Sequence, residues 1–376
     1  MKAAYISVYR DGTGYGNSAI NYIKALDSAG VEVDPMWVTL NGVPSDTDER
    51  VAELEAKATY QDVDVCIQQY LPHYFFRNKT CKNVGMFYWE TDHFTGSRWQ
   101  HHCNLLDEIW VTTPEQVDAC KKSGITVPVR EIPFAHDLSV YDKDYDNLEI
   151  PGCDSRFKFY TICDLGFRKN VIGMLNAYYT TFTARDNVAL IIRGYFSGMT
   201  AEQTYETFGQ WCQNIKEKIG RPGHMYPPVV LIAERMSNKD IMRLHETCDV
   251  YVCTSRGEGE NIPAFDAAGM GNGIIASNWN GLTKMLGDTE YRHTLIEDMQ
   301  ACPVSDVPHA PSFMYNCDEV WYQPSTWEVG RYMRQYYNKG LMANKLEPVD
   351  NKEWMQKFSH EAAGQELKLA LEDLCK

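Results

Sequence analysis

Short β-rich runs alternate with stretches of helical periodicity along the first 140 residues, break off over an acidic, polar passage, and then begin again. The first set of runs is Ala3–Tyr9, Val31–Val38, Val63–Gln68, Val84–Trp89, Glu108–Thr112 and Val129–Pro133. A glycine-rich loop follows the first run and leads into Asn17–Ser28, where Ile20, Ile23 and Leu26 recur at helical spacing. Strands that alternate with helices build βαβ units around a parallel sheet. The break falls at Asp142–Pro151, which reads as a linker.

The second set comprises Phe157–Cys163, Val188–Ile192, Val229–Ala233, Val250–Cys253 and Gly273–Ser277. Helical patterns lie between them near Val171–Phe182, Tyr205–Ile219, Lys239–Thr247 and Pro263–Met270. In Tyr205–Ile219, the residues Phe208, Trp211, Cys212 and Ile215 share one face, and Gly220 with Pro222 ends the helix. A last pattern from Glu353 places Trp354, Phe358, Ala362, Leu367 and Leu371 on a helix. The expectation is an α/β protein with two Rossmann-like, doubly wound parallel-sheet domains, residues 1–145 and 146–350, facing a central cleft. Residues 351–376 form a C-terminal helix that can pack back on the N-terminal domain. In such domains ligands bind beyond the carboxyl ends of the strands.

Charge narrows the classes of partner. Lys and Arg number 36 against 51 Asp and Glu, a net charge of −15. Nucleic-acid affinity comes mostly from clustered basic residues, so a nucleic-acid partner is disfavoured. Docking on an anionic membrane is weakened by the same argument, and peripheral membrane contact stays open. No segment approaches the roughly 18 consecutive apolar residues of a membrane span, and MKAAYISVYRDG is too short and polar for a signal peptide. The 12 cysteines are scattered from Cys66 to Cys375 with no CxxC pair, which fits reduced thiols and a cytoplasmic location.

Two loops carry the strongest chemical signals. Asp11-Gly12-Thr13-Gly14-Tyr15-Gly16-Asn17 joins a strand to a helix. Glycines there let backbone approach a phosphate at a helix N-terminus, although a plain tight turn uses the same residues. A nicotinamide-dinucleotide site is a further alternative, since Asp34 follows at about the right distance, but the third glycine spacing is missing. The second loop lies in Asp249–Gly269, where a strand ends at Arg256-Gly257-Glu258-Gly259-Glu260 and a helix follows. Glu258 and Asp266 stand eight residues apart, one in the loop and one a turn into the helix. Carboxylates there suit the hydroxyls of a sugar or ribose, while a capped helix with solvated acids is the plainer alternative.

The motif resembles the E-x7-E signature of retaining GT-B glycosyltransferases, usually written EGFGLPxLEAMAxG, with Asp266 in the second acidic position. Ser237–Asp249 is similar to the helix that precedes that signature, and Gly273–Gly281 to the strand and glycine loop that follow it. Gly166-Phe167-Arg168-Lys169-Asn170 resembles the basic segment opening the second domain. Gly14-Tyr15-Gly16, Asp107–Val111 and Ile132–Asp137 fall into the family's order, so the resemblance extends to about Gly287.

It implies a GT-B glycosyltransferase that moves a sugar from a nucleotide-diphosphate donor to a saccharide or other hydroxyl acceptor. Glu258 would hold the sugar hydroxyls and Asp266 the ribose. Arg168 and Lys169 would stabilise the departing diphosphate. Gly14, Tyr15, Gly16, Gly259, Asn261 and Ile262 would line the donor site. The donor is itself the substrate, so no separate cofactor is implied.

Trp89-Glu90-Thr91-Asp92-His93 ends the fourth strand. In an inverting enzyme Asp92 or His93 would be the general base; with retention, which the resemblance favours, they would orient a substrate. His136 is similar to a cleft residue of the family and equally suits a structural histidine. Asp266 is one methylene shorter than the usual Glu, and Asn261 replaces a small residue, so the sugar preference does not transfer.

No metal is expected. Asp62-Val-Asp64 precedes its strand instead of following it. Asp142, Asp144 and Asp146 begin like a calcium loop but meet Asn147 and Cys153 at its key positions. His101, His102 and Cys103 lack ligand spacing. Alternative functions are an NAD(P)-dependent oxidoreductase, which leaves residues 249–281 without a role, and a non-catalytic nucleotide-sugar-binding relative. A DNA-modifying variant is disfavoured by the charge. Asp288–Tyr315, with His293 and His309, shows no pattern and reads as irregular loops.

Overall fold

The computed structural model describes residues 1–39, 46–287, 293–304, 314–343 and 346–376; His309 and parts of the 288–315 stretch lie outside them. The described residues fall into two compact units. One draws on Met1–Val140, Pro311–Glu319 and Glu353–Lys376, the other on Tyr141–Ala310 and Val320–Lys352. The chain leaves the first unit at Val140, at the head of the acidic passage. The 146–350 stretch is not one block, because the residues just before Val320 belong with the first unit.

The first unit holds strands β1 (Lys2–Ser7), β2 (Glu32–Trp37), β3 (Val65–Gln69), β4 (Lys82–Met86), β5 (Glu108–Val111) and β6 (Val129–Glu131). Its helices are α1 (Gly14–Ser28), α2 (Glu49–Lys57), α3 (Trp99–Cys103) and α4 (Pro114–Lys122). The sheet order is β2-β1-β3-β4-β5-β6, with every neighbouring pair parallel. β3 is buried along its whole length, as expected for a strand covered on both faces. One face packs Tyr5, Ile23, Leu26, Ile67 and Trp110. The other packs Phe87, Trp89, Phe94 and Trp99.

The second unit holds β7 (Phe157–Asp164), α5 (Val171–Thr181), β8 (Val188–Tyr195), α6 (Ala201–Ile219), β9 (Val229–Ile232), α7 (Asn238–Thr247) and β10 (Val250–Cys253). It continues with α8 (Ile262–Gly269), β11 (Gly273–Ser277), α9 (Gly281–Leu286), β12 (His293–Ile296), β13 (Met299–Pro303), β14 (Val320–Pro324) and α10 (Thr326–Ala343). Six strands form a parallel sheet in the order β12-β11-β10-β7-β8-β9, and β13 pairs antiparallel with β14. β12 and β13 correct the expectation of irregular loops over 288–315. Four or five residues without alternation give no periodic signal, and only pairing with β11 and β14 makes them strands.

The chain ends in α11 (Lys352–Met355) and α12 (His360–Leu374). α12 lies against α1 and adds Leu367 and Leu371 to the first unit's core. Gly364 permits the approach, since a Cβ there would sit 2.0 Å from the Ala25 carbonyl oxygen.

Both sheets reverse their strand order once, between β1 and β3 and between β10 and β7. The carboxyl ends of strands flanking such a reversal splay their loops apart and leave a crevice for ligands.

Candidate functional site

In the second unit the loops after β7 and β10 meet at that reversal. β7 runs into a tight turn, Phe167–Lys169, and Asn170 takes a left-handed conformation (φ 52°) before α5. The Arg256 guanidinium stitches this turn to the β10 loop. It donates to the Phe167 carbonyl, to Asn170 Oδ1 at 3.1 Å and to Gln323 Oε1 at 2.8 Å, while its backbone N–H reaches the Arg168 carbonyl at 2.7 Å. Thr254 Oγ1 donates to the Asn170 carbonyl at 3.1 Å.

That stitching brings Arg168, Lys169 and Glu258 together. Lys169 Nζ lies 2.7 and 2.8 Å from the two Glu258 oxygens, and Arg168 Nη1 lies 3.1 Å from Oε2 and 2.6 Å from the Gly257 carbonyl. Glu258 is only 2% exposed. Burial alone would push its carboxyl up, but the Lys169 and Arg168 charges outweigh burial and hold it below its ordinary value. Burial and the Arg168 charge lower Lys169, while Glu258 and Asp164 outweigh them and leave it raised. All three groups are therefore ionised at neutral pH. Glu258 is an acceptor-only carboxylate that can take sugar hydroxyl protons, and the two cations can neutralise phosphate oxygens.

The β11–α9 loop braces this carboxylate. Gly281 N–H donates to the Glu258 carbonyl at 2.9 Å, and a Cβ on Gly281 would lie 2.4 Å from the Gly259 oxygen. Asn280 just before it is buried with φ 58° and ψ −130°, a strained conformation for a side chain. Asn261 caps α8, its Oδ1 accepting from Ala264 N–H at 3.0 Å, and Ile262 opens that helix.

Asp266 has different company: Tyr141 Oη donates to its Oδ1 at 2.6 Å, and His245 Nε2 stands 4.0 Å from Oδ2. Burial lowers His245 to about 3, so its ring is neutral. A sequence pattern could not reveal the Tyr141 contact.

The remaining candidates belong to the first unit. Thr13 caps α1 by accepting from Gly16 N–H at 3.2 Å, and a Cβ on Gly16 would sit 2.9 Å from the Val8 carbonyl. Gly14 is exposed at the first helical position. Tyr15 Oη accepts from Tyr88 N–H at 3.0 Å, and the two rings meet edge to face. Asp34, the acid on which a dinucleotide site would depend, is buried. It accepts from Thr59 N–H at 3.1 Å and Tyr60 N–H at 2.7 Å, with Lys2 Nζ at 3.2 Å. His136 is buried beside Phe358.

Beyond β4, Asp92 Oδ1 lies 2.9 Å from His93 Nδ1, and both residues are half-buried. The pattern missed two neighbours of this pair. Asp318 Oδ2 is 3.6 Å from His93 Nε2, and Glu319 Oε2 is 3.0 Å from Thr91 Oγ1. More than 220 positions separate Glu319 from Thr91 in the chain, and no local signal announces the pairing. Among the described residues, no three His, Cys, Asp or Glu side chains are grouped to hold a metal ion.

No protein-family model matches the sequence. No curated protein matches it either. Solved structures do match in fold. The trehalose-6-phosphate synthase OtsA superposes with a TM-score of 0.64 at 12% identity, over 100% of this chain and 99% of that one. Anabaena HepE, in complex with UDP and glucose, gives 0.62 at 13% identity, over 99% and 100%. An E. coli trehalose-6-phosphate structure bound with UDP-2-fluoro glucose gives 0.63 at 11% identity, over 100% and 99%. With two six-stranded parallel sheets and flanking helices in this similarity, the chain has the GT-B fold.

Proposed function

We propose that this protein is a glycosyltransferase that moves a sugar from a nucleotide-diphosphate donor to a hydroxyl acceptor, with retention and without a metal. The observation that carries the reading is the buried Glu258 carboxylate held by Lys169 and Arg168 at the strand-order reversal. Two fixed cations suit a diphosphate, and a carboxylate kept ionised beside them suits the hydroxyls of the attached sugar. UDP and glucose in HepE and UDP-2-fluoro glucose in the E. coli structure make a uridine nucleotide sugar the first donor to test.

In this reading the bond from the anomeric carbon to the β-phosphate oxygen breaks while the acceptor oxygen bonds the same face of that carbon. The acceptor proton passes to the departing diphosphate, so no base is needed on the opposite face. Arg168 and Lys169 stabilise the charge that develops on the diphosphate, doing by fixed charge what a metal ion would do elsewhere. Arg256 makes no direct contribution to the chemistry but fixes both loops. Asp266 is proposed for the ribose, for which the Tyr141 phenol would have to share it. Asp92 and His93 would orient the acceptor, a saccharide or other hydroxyl compound, and Gly14, Tyr15 and Gly16 would approach the donor. A cytoplasmic location goes with this proposal. The buried commitments of Asp34 weigh against a nicotinamide dinucleotide.

The test is hydrolysis of UDP-glucose with EDTA present, read by NMR of the released glucose before it equilibrates. Release of the α-anomer that persists in EDTA is the expected result. Release of the β-anomer removes retention, and loss of turnover in EDTA removes metal independence.

A further inference from the structure

The Thr91 hydroxyl has one proton and two claimants. Trp89 Nε1 lies 2.6 Å from Thr91 Oγ1, the His93 carbonyl oxygen 2.6 Å and Glu319 Oε2 3.0 Å. An indole N–H only donates and a carbonyl only accepts, so Thr91 accepts from Trp89 and has a single proton for the other two. Thr91 and Glu319 are both buried, at 2% and 0% exposure, so an unmet partner there is costly.

Protonation of Glu319 resolves the conflict. A carboxylic acid donates to Thr91 Oγ1, Thr91 donates to the His93 carbonyl, and every group is satisfied. With Glu319 ionised, the Thr91 proton turns to the carboxylate, and the His93 carbonyl keeps only the Trp89 indole at 3.0 Å. Glu319 Oε1 accepts from Asn316 N–H at 3.0 Å in either state.

We infer that Glu319 is a positioning residue for the Asp92–His93 pair of the first unit, acting through the Thr91 hydroxyl on the backbone of His93. This rests on the reading in which Asp92 and His93 orient the acceptor. The His93 ring stands between Asp92 at 2.9 Å and Asp318 at 3.6 Å, so a shift of its backbone changes what that ring can reach. The segment that carries Glu319 is seated firmly: Tyr315 Oη donates to Glu90 Oε2 at 3.1 Å, its ring lies against Trp89, and Gly96 leaves the space that the Asn316 side chain fills. Burial pushes the Glu319 carboxyl up to about 7. The Asn316 amide, Thr91 and the His93 charge pull it down, and Asp318 adds to the rise. The two hydrogen-bond arrangements therefore exchange near neutral pH.

The Trp89 indole N–H reports the exchange directly. In a nitrogen-15 spectrum of the full chain its resonance is identified by its loss in Trp89→Phe. It should move with an inflection near pH 7 in the wild type. In Glu319→Gln the amide N–H donates to Thr91 as the acid does, so the resonance should stay at its low-pH position; Thr91→Val should also abolish the inflection. UDP-glucose hydrolysis should change through the same pH range in the wild type and stay flat there in Glu319→Gln. A pH-silent indole in a wild type that binds UDP overturns the inference alone, as does an inflection that survives in Glu319→Gln. A wild type that does not bind UDP overturns the donor reading, while the indole titration still reports on Glu319.

Discussion

The two units hold chemically opposite groups, one at the strand-order reversal of the second and one beyond β4 in the first. In the second unit, the site is built from permanent charges. The Glu258 carboxylate is paired with both Lys169 and Arg168, which leaves one positive charge in excess, and Arg256 locks their loops through backbone carbonyls. In the first unit, the group beyond β4 is built from hydroxyls, rings and an acid raised to about 7. Thr91, Trp89, His93 and Glu319 share protons instead of exchanging full charges. The difference suits two kinds of ligand. Charges that need no rearrangement match an anion that must be stabilised as it departs. A hydrogen-bond network with two proton arrangements matches a neutral hydroxyl that must be oriented.

Removing a charge from the second unit should have the largest effect. Lys169→Met leaves Glu258 buried with only Arg168, and removing one partner of a buried pair typically costs about 3–5 kcal/mol. Denaturant unfolding should register a loss of that order in the second unit. Losing one preorganised charge should also slow UDP-glucose turnover about 100-fold or more. Thr91→Val in the first unit should cost about 1–3 kcal/mol, the scale of a buried hydrogen-bond partner lost.

A smaller effect comes from the two glycines that brace the loops. Gly281→Ala puts a Cβ 2.4 Å from the Gly259 oxygen, whereas Gly16→Ala puts one 2.9 Å from the Val8 oxygen. Overpacking of this kind costs about 1–3 kcal/mol, and Gly281→Ala should be the more destabilising in thermal unfolding. Equal losses would mean that the β11–α9 loop yields more easily than its contacts imply.

The smallest effect concerns pH, where the two buried acids should act with opposite sign. Glu258 is held below its ordinary 4.5, so the stability it contributes is present above that value and fades as pH falls. Glu319 is raised from 4.5 to about 7, so its contribution is complete below 4.5 and is lost as pH rises through about 7. Glu319→Gln should flatten the stability profile between those values, and Glu258→Gln should flatten it on the acid side. Unfolding midpoints followed across pH in both variants check the signs.

Much of the second unit could be read from the chain. Val250–Cys253 and Gly273–Ser277 are strands with the expected bounds, because an apolar β-branched run between turn residues has few alternatives. Arg168, Lys169 and Glu258 were legible because each sits just past such a strand. Arg256 was visible in the same loop, but its bonds to Phe167 and Asn170 exist only once β7 and β10 are neighbours. Asp318 and Glu319 were not legible, since they reach the first unit from far along the chain. Asp266 was legible as an acid at the right spacing, and its hydrogen bond to Tyr141 was not. Spacing carries information along the chain; partners met across a fold leave none.

Calorimetric titration of UDP into the wild type and into Lys169→Ala, with UMP as the control nucleotide, tests whether the second unit's cations hold a diphosphate. The wild type should bind UDP more tightly than UMP, and the variant should lose most of that preference, a change of at least about tenfold, or 1.4 kcal/mol, in the UDP constant. UDP and UMP binding alike to the wild type, or UDP binding the variant unchanged, would contradict it.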